Sequence, residues 1–226
     1  MAPPVVLVPG FATSAARTWG ENGWVDLLSD MGRTAIPLDV LGSGTAEKPH
    51  TPEAYEAFEQ HLLDRIPKQP VDAIGFSLGA RTLLVLAALH PERFNSLIVA
   101  GVGQNLFERD GTGDSIASAI DGSGDADDPI VRYFIQLAQA PDQDPKALAA
   151  FMRRSNGIVM TPELLHTITC PVLVVLGDKD FAGPADPLLD ALPDARLVTL
   201  RNVDHFATPK DFGFIDAALE FLSSSR

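Results

Sequence analysis

The sequence predicts a single α/β domain in which helices cover both faces of a mostly parallel sheet. Short apolar runs alternate along the chain with longer stretches of helical periodicity, which is the pattern of βαβ units. Several of these apolar runs contain hardly any polar residue, as strands do when helices bury both faces of a sheet. Prolines stand at or near the starts of six helical segments, where a missing N–H group costs nothing.

Taken in order, the apolar runs predict six strands and the helical patterns predict eight helices. The predicted strands are Val5–Val8, Thr34–Leu38, Val71–Ile74, Ser96–Ala100, Val172–Leu176 and Arg196–Leu200. The predicted helices are Trp24–Met31, Pro52–Arg65, Ala80–His90, Pro129–Ala140, Pro145–Asn156, Pro162–Thr167, Pro184–Ala191 and Phe212–Ser223.

One long stretch between the fourth and fifth predicted strands has helical patterns but no clear strand. Its first part, Gln104–Asp128, is rich in Asp, Gly and Ser, and we expect a loop there. We interpret residues 104–167 as a small helical lid over the edge of the sheet. Residues 1–103 and 168–226 are then expected to form the core of one domain.

Composition narrows the classes of function. The chain has 226 residues, 46% hydrophobic and 21% charged, which is typical of a globular protein with a sizeable core. A net charge of −13 argues against a nucleic-acid partner and disfavours strongly anionic substrates, although a local pocket can override the global field. The single cysteine, Cys170, excludes an intrachain disulfide and favours a reducing compartment, so we expect a cytoplasmic protein. No apolar run predicts a membrane span and no leader is recognisable, so we expect no membrane partner.

A candidate nucleophile lies between the third predicted strand and the helix that follows it. Gly75-Phe76-Ser77-Leu78-Gly79 has the Gly-x-Ser-x-Gly pattern, in which the serine occupies a strained turn and the glycines let strand and helix approach closely. The N-terminus of the helix would favour a developing negative charge at this place. The pentapeptide alone is a weak signal, and a plain tight turn is the alternative, but its position between a strand and a helix favours a nucleophilic Ser77.

A serine nucleophile needs a general base, and His205 is the best candidate among five histidines. It follows the last predicted strand in a loop, where open α/β sheets carry their chemistry. His50, in a polar loop, is the competing candidate, whereas His90 is expected to cap a helix. The last two, His61 and His166, lie within helical patterns.

The base in turn needs a carboxylate that orients its imidazole, and Asp180 follows the fifth predicted strand. Asp178 is expected instead to cap the turn through its own backbone, and Asp204 is a weaker candidate. For the oxyanion hole we expect the backbone N–H groups of Leu78 and Phe11, the latter in the loop after the first strand. An ordinary strand-to-helix turn is the alternative interpretation of the Phe11 loop.

The chain resembles the α/β-hydrolase superfamily in its serine-nucleophile branch. The resemblance rests on Leu7–Phe11, Gly75–Gly79, Cys170–Asp180 and His205-Phe206, and it covers nearly the whole chain except the expected lid. It implies a Ser-Asp-His hydrolase without a cofactor, and we expect no metal. The first predicted strand, Val5–Val8, corresponds to the family's third strand, so we expect a sheet of about six parallel strands without the usual antiparallel first hairpin. Pro9 replaces the usual histidine before Gly10. Asp204 replaces a frequent glycine, and it could alter the action of His205 or hold it away from the acid.

The function expected from these residues is hydrolysis of a small to medium carboxylic ester through an acyl-enzyme. Cleavage of a thioester or of a carbon–carbon bond by the same residues stays open, as does a non-catalytic ligand-binding member of the superfamily. A calcium site is a further alternative, because Asp110–Asp114 and Asp121–Asp125 resemble each other, but their spacing does not match an EF-hand. The expected partner is a small-molecule acyl substrate, and nothing in the sequence indicates an oligomeric state.

Overall fold

The computed structural model describes residues 2–108, 113–125, 127–154 and 157–224. Within them, six parallel strands form one sheet in the order β2-β1-β3-β4-β5-β6. The strands are Val5–Val8 (β1), Ala35–Pro37 (β2), Val71–Phe76 (β3), Phe94–Ala100 (β4), Val172–Gly177 (β5) and Ala195–Leu200 (β6). The prediction of a six-stranded, mostly parallel α/β sheet is confirmed.

The α-helices of the described residues lie between these strands in the chain, except the last one, which follows β6. They are Trp24–Asp30 (α1), Phe58–Arg65 (α2), Leu78–Leu89 (α3), Gly113–Asp121 (α4), Pro129–Ala138 (α5), Pro145–Met152 (α6), Pro162–Leu165 (α7), Asp186–Ala191 (α8) and Phe212–Ser224 (α9). Ala16–Gly20 forms a π-helical turn, and short 3₁₀ turns form at Pro52–Tyr55, Pro91–Arg93, Gln104–Leu106 and Thr208–Lys210.

Some of the predicted segments differ from the structure. The helix predicted over Pro52–Arg65 is a 3₁₀ turn followed by α2, because Ala57 leaves the helical region between them. The loop predicted over Gln104–Asp128 contains α4, whose Ala117 and Ile120 are buried. Burial of this apolar face outweighs the weak helix propensity of the Gly, Ser and Asp residues around it. The helix predicted to run to Asn156 ends at Met152, and Asn156 itself lies outside the described residues.

Apolar side chains cover the sheet on both faces, which explains why its central strands carry almost no polar residue. Along β1, Val5 and Leu7 belong to one buried cluster, together with Trp24 of α1 and Phe214 of α9. Val6 and Val8 belong to a second cluster, together with residues of α2, α3 and α8. Successive strand residues point to opposite faces, so the two helical layers each receive half of β1.

The carboxyl ends of the strands meet at one edge of the sheet, and helices from between β4 and β5 pack over that edge. Phe11, in the loop after β1, contacts the rings of Phe134 in α5 and Phe151 in α6, with ring centroids 5.6 and 5.7 Å away. Residues at this edge are therefore partly enclosed. None of the helices in the described ranges is both long and apolar enough to cross a membrane.

A buried ion pair links both ends of the described chain to the middle of the sheet. The carboxylate of Asp72 in β3 accepts hydrogen bonds from Arg33 and, at 2.6 Å, from the hydroxyl of Ser96. Arg33 also donates to the carbonyls of Pro3 and Leu222, at 2.8 and 3.4 Å. The two charged side chains are only 4% and 6% exposed, so each depends on the other for compensation of its charge.

We expect Asp72→Ala to lower the free energy of unfolding by about 3–5 kcal/mol, because Arg33 would remain buried without its counter-charge. Urea denaturation monitored by circular dichroism measures this change. Asp121→Ala is the matched control, since it breaks an exposed pair with Arg153 and is expected to leave stability nearly unchanged. Equal losses in the two variants would contradict the role given to the buried pair.

Candidate active site

Ser77 occupies a strained turn between β3 and α3. Its φ of 52° and ψ of −112° lie in a region that non-glycine residues rarely adopt, and its N–H donates to the carbonyl of Ala100 at 2.8 Å. The turn places the side chain at the N-terminus of α3, a 12-residue helix whose dipole favours negative charge there. This backbone geometry is the one expected of a nucleophile elbow.

Close packing around Ser77 depends on glycine at two places. A Cβ atom on Gly79 would lie 2.3 Å from the carbonyl oxygen of Val8, so only glycine lets α3 approach the end of β1 this closely. Gly101, after β4, has a φ of +69°, and a Cβ there would lie 2.7 Å from the ring of Phe76 and 3.1 Å from that of His205. The absence of both side chains makes room for the groups that surround Ser77.

The structure brings Ser77, His205 and Asp180 into one chain of hydrogen bonds. Nε2 of His205 lies 3.0 Å from Oγ of Ser77, and Nδ1 lies 2.9 and 3.0 Å from the two carboxylate oxygens of Asp180. With the proton on Nδ1 donated to Asp180, Nε2 is left to accept the hydroxyl proton of Ser77. The side chains of His205 and Asp180 are only 3% and 0% exposed, so water barely competes for these bonds.

Asp180 is itself held in place by the turn that follows β5. Its N–H donates to the carbonyl of Gly177 at 3.1 Å, and its Oδ1 accepts from the N–H of Ala182 at 2.9 Å. These bonds orient the carboxylate toward the imidazole independently of His205. A carboxylate that is both buried and oriented in this way can hold the imidazole in one tautomer.

His205 lies between two phenylalanine rings, a feature that the sequence analysis missed. The ring centroid of Phe76 is 4.9 Å from that of the imidazole, and the centroid of Phe181 is 4.3 Å away. Phe181 is 44% exposed, and its ring shields an imidazole that is almost inaccessible. The sequence did contain a signal for this contact, because Phe181 directly follows Asp180. A residue next to the carboxylate that contacts His205 is also close to His205 itself.

The two expected oxyanion donors both border Ser77. Phe11 follows Gly10, where a Cβ would lie 3.0 Å from the ring of Phe76 and 3.5 Å from Cβ of Ser77, so this loop lies against the nucleophile turn. Leu78 is the first residue of α3, and its N–H therefore has no acceptor within the helix. Within the described ranges, no backbone carbonyl accepts the N–H of Phe11. Both N–H groups are thus available to an oxygen atom beside Ser77.

The competing candidates have other partners. Nε2 of His50 lies 2.8 Å from the carboxylate of Asp144, in an exposed pair. The expectation that Asp178 caps its own turn is wrong, because its carboxylate accepts from the N–H of Asn202, 24 residues away, at 2.8 Å. Asp204 does not separate His205 from the acid, because its Oδ1 accepts from the N–H of Ala207 at 2.9 Å.

The acidic segments considered as calcium loops can be described only in part. Asp110 lies outside the described residues. Asp121 uses Oδ1 to accept from the N–H and hydroxyl of Ser123 and pairs through Oδ2 with Arg153 at 2.8 Å. The hydrogen bond from the Ser123 hydroxyl lowers the pKa of Asp121, and the hydrogen bond from Arg153 lowers it further. In the part of the chain that the structure describes, no group of three or more His, Cys, Asp or Glu side chains could hold a metal ion.

Ser77 lines two cavities. The first, of about 270 Å³, is also lined by His205, Phe76, Phe206, Tyr133 and Lys210. The second, of about 240 Å³, is lined by Leu78, Phe11, Phe151, Arg81 and Arg154 in addition to Ser77. Both cavities therefore reach Ser77, and an ester needs space for a group on each side of its carbonyl.

The fold and the geometry of these residues agree with a comparison against known families. A model of the alpha/beta hydrolase family matches residues 5–217. The chain belongs to this family. Its fold is the α/β-hydrolase fold, and the resemblance inferred from the motifs is confirmed.

The relatives of this alpha/beta hydrolase act on different substrates. A 2-hydroxy-6-oxo-6-(2'-aminophenyl)hexa-2,4-dienoic acid hydrolase of Metapseudomonas resinovorans is 26% identical, covering 97% of this chain and 84% of that protein. A pimeloyl-[acyl-carrier protein] methyl ester esterase of Neisseria meningitidis is 27% identical, covering 83% and 68%. A crystallised serine hydrolase involved in carbazole degradation, the CarC enzyme, has a TM-score of 0.71 and 25% identity, covering 100% and 92%.

We expect Gly79→Ala to destabilise this alpha/beta hydrolase by about 1–3 kcal/mol, because its new methyl group must displace either β1 or α3. Urea denaturation and thermal melting measure the loss. Gly20→Ala is the matched control, since a Cβ at Gly20 meets no atom within 4 Å. A Gly79→Ala protein as stable as Gly20→Ala would show that the contact with Val8 does not constrain the turn.

Proposed function

We propose that the protein is a serine hydrolase that cleaves small to medium carboxylic esters through an acyl-enzyme. The observation that carries this proposal is the hydrogen-bonded chain from Ser77 Oγ to His205 Nε2 at 3.0 Å, and from His205 Nδ1 to Asp180 at 2.9 Å. A hydroxyl, an imidazole and a buried carboxylate in this order can activate an alcohol as a nucleophile near neutral pH. The chain order Ser, Asp, His also agrees with that of the family.

In the first half-reaction, Oγ of Ser77 attacks the acyl carbon while its proton moves to Nε2 of His205. The negative charge that develops on the carbonyl oxygen accepts hydrogen bonds from the N–H groups of Phe11 and Leu78. Asp180 stabilises the imidazolium without taking its proton. His205 then gives that proton to the oxygen of the leaving alcohol, the bond from the acyl carbon to that oxygen breaks, and the acyl group remains on Ser77.

In the second half-reaction, water takes the place of the alcohol. His205 accepts a proton from the water molecule as its oxygen attacks the acyl carbon, and the same two N–H groups hold the oxyanion. Return of the proton to Oγ releases the acid and restores Ser77. Because the oxyanion donors are backbone groups, their positions depend on the turn at Ser77 and on the Phe11 loop; removal of one such donor typically costs about 10²–10³ in rate.

We expect a fluorophosphonate probe to label the wild-type protein and to leave Ser77→Ala unlabelled, because the probe reacts with an activated serine. Intact mass spectrometry and peptide mapping measure the labelling. Ser29→Ala removes an exposed serine of α1 and serves as the matched control that keeps labelling. Equal labelling of wild type and Ser77→Ala would favour a non-catalytic ligand-binding protein.

Asp180→Asn is expected to lower kcat on an ester substrate by about 10⁴-fold.

A second candidate function is hydrolysis of a carbon–carbon bond beside a ketone. The Metapseudomonas resinovorans relative favours it, since the acid in its name contains a ketone and no ester. The same serine, base and oxyanion donors would serve that reaction, so the fold and these residues do not discriminate. Discrimination depends on the substrate that the two cavities accept.

We expect ethyl esters of short and medium acids to be hydrolysed faster than matched thioesters and vinylogous diketones. Initial rates over a panel of acyl chain lengths measure this, with Ser77→Ala as the control for background hydrolysis. A higher kcat/KM for the diketone would replace the ester proposal by the carbon–carbon one. A higher value for the thioester would make the protein a thioesterase.

A further inference from the structure

The second cavity beside Ser77 has a charge opposite to that of the chain. The whole sequence carries 30 acidic residues against 17 basic ones. Among the described residues that line this cavity of about 240 Å³, the charged ones are Arg81 and Arg154, and neither Asp nor Glu is present. The remaining lining is mostly apolar and includes Met152 and Ile116. A pocket of this kind accommodates a ligand with an apolar body and an anionic end.

The guanidinium of Arg154 is held by aromatic rings rather than by an acid. It lies 3.7 Å from the ring centroid of Phe151 and 5.5 Å from that of Phe58, and Nη1 donates to the carbonyl of Phe151 at 2.9 Å. None of the ion pairs between described residues includes Arg154. These cation–π contacts and the hydrogen bond to Phe151 position the guanidinium, which has further N–H groups to donate to a ligand.

Arg154 stays charged at neutral pH despite this environment. Burial lowers the pKa of Arg154 to about 10; the negative charge of Glu59 opposes this shift, and the positive charge of Arg81 adds a smaller lowering. A positive charge that is partly removed from water, and that forms no ion pair with another described residue, gains more from an anionic ligand than an exposed one does.

The position of His205 indicates which half of a substrate enters which cavity. His205 must give its proton to the leaving oxygen, and its side chain lines the first cavity, whereas the lining of the second one does not include it. The alcohol part therefore lies on the side of His205. The acyl part then extends past Leu78 and Phe11 into the cavity with the arginines.

We propose that the protein hydrolyses esters whose acyl group ends in a carboxylate, and that Arg154 binds this carboxylate in the second cavity. The inference rests on the proposed function and names its substrate class, the monoesters of dicarboxylic acids. At roughly 30 Å³ per non-hydrogen atom, the volume that water occupies in the liquid, the cavity holds about eight such atoms. A glutaryl group is of this size. The local pocket thus overrides the expectation that the chain's net charge disfavours anionic substrates.

The test compares two ethyl esters of equal size by pH-stat titration of the acid released. Monoethyl glutarate carries the carboxylate, and ethyl 5-methylhexanoate replaces it with an uncharged isopropyl group. We expect the wild type to have the higher kcat/KM for monoethyl glutarate. We expect Arg154→Gln to lower the ratio of the two kcat/KM values by roughly 10- to 100-fold, and Arg154→Lys to lower it less. Arg153→Gln is the matched control, because this neighbouring arginine pairs with Asp121 and does not line the cavity.

Three results would overturn the inference. The first is a wild-type preference for ethyl 5-methylhexanoate, which needs no variant and so does not depend on the folding of one. The second is an unchanged ratio in Arg154→Gln. The third is a faster reaction of 4-acetoxybutanoate than of monoethyl glutarate, which would place the carboxylate in the alcohol half. In each case, fluorophosphonate labelling of Ser77 would show that the serine hydrolase proposal still stands, whereas loss of labelling and of all ester hydrolysis would remove both.

Discussion

The turn at Ser77 is held in a backbone conformation that serine adopts only when its surroundings impose it. Three neighbouring strands impose it together. The Ser77 N–H is fixed to Ala100 at the end of β4, and Gly79 brings the start of α3 against Val8 at the end of β1. Parallel pairing of β1, β3 and β4 sets these strand ends level with one another. The position of Ser77 is therefore a property of the sheet, and the strain in its backbone is balanced by packing and strand pairing around it.

The same edge of the sheet also decides how charge is handled around the serine. Asp180 and His205 are almost inaccessible to water, so a proton moving to the imidazole remains among fixed dipoles and a buried carboxylate. The rings of Phe76 and Phe181 both contact the imidazole, and Gly101 has no side chain that would collide with Phe76 and His205. His205 and Asp180 thus lie among apolar rings and away from water, and the lower local dielectric constant strengthens the electrostatic interaction between them.

Two cavities share Ser77 in their lining. One also contains His205 and charged residues of both signs, Arg17, Lys210 and Glu21, whereas the charged residues of the other are two arginines among mostly apolar side chains. His205 lines only the first of them, so under the proposed mechanism a substrate has one orientation, with its leaving oxygen facing the imidazole. The net charge of this alpha/beta hydrolase is −13, whereas the two arginines give the second cavity a locally positive charge.

The sequence by itself determined the alternation of strands and helices, the turn at Ser77 and the order Ser, Asp, His, because apolar runs and Gly-x-Ser-x-Gly are local signals. Only the tertiary structure decided that α4 forms in an acidic, glycine-rich stretch, and that Asp178 accepts a hydrogen bond from Asn202 instead of capping its own turn. It also placed Arg154 in the lining of a cavity that Ser77 borders. Ser77 and His205 are 128 positions apart, and contacts across such separations depend on how the helices pack against the sheet, which no local pattern encodes.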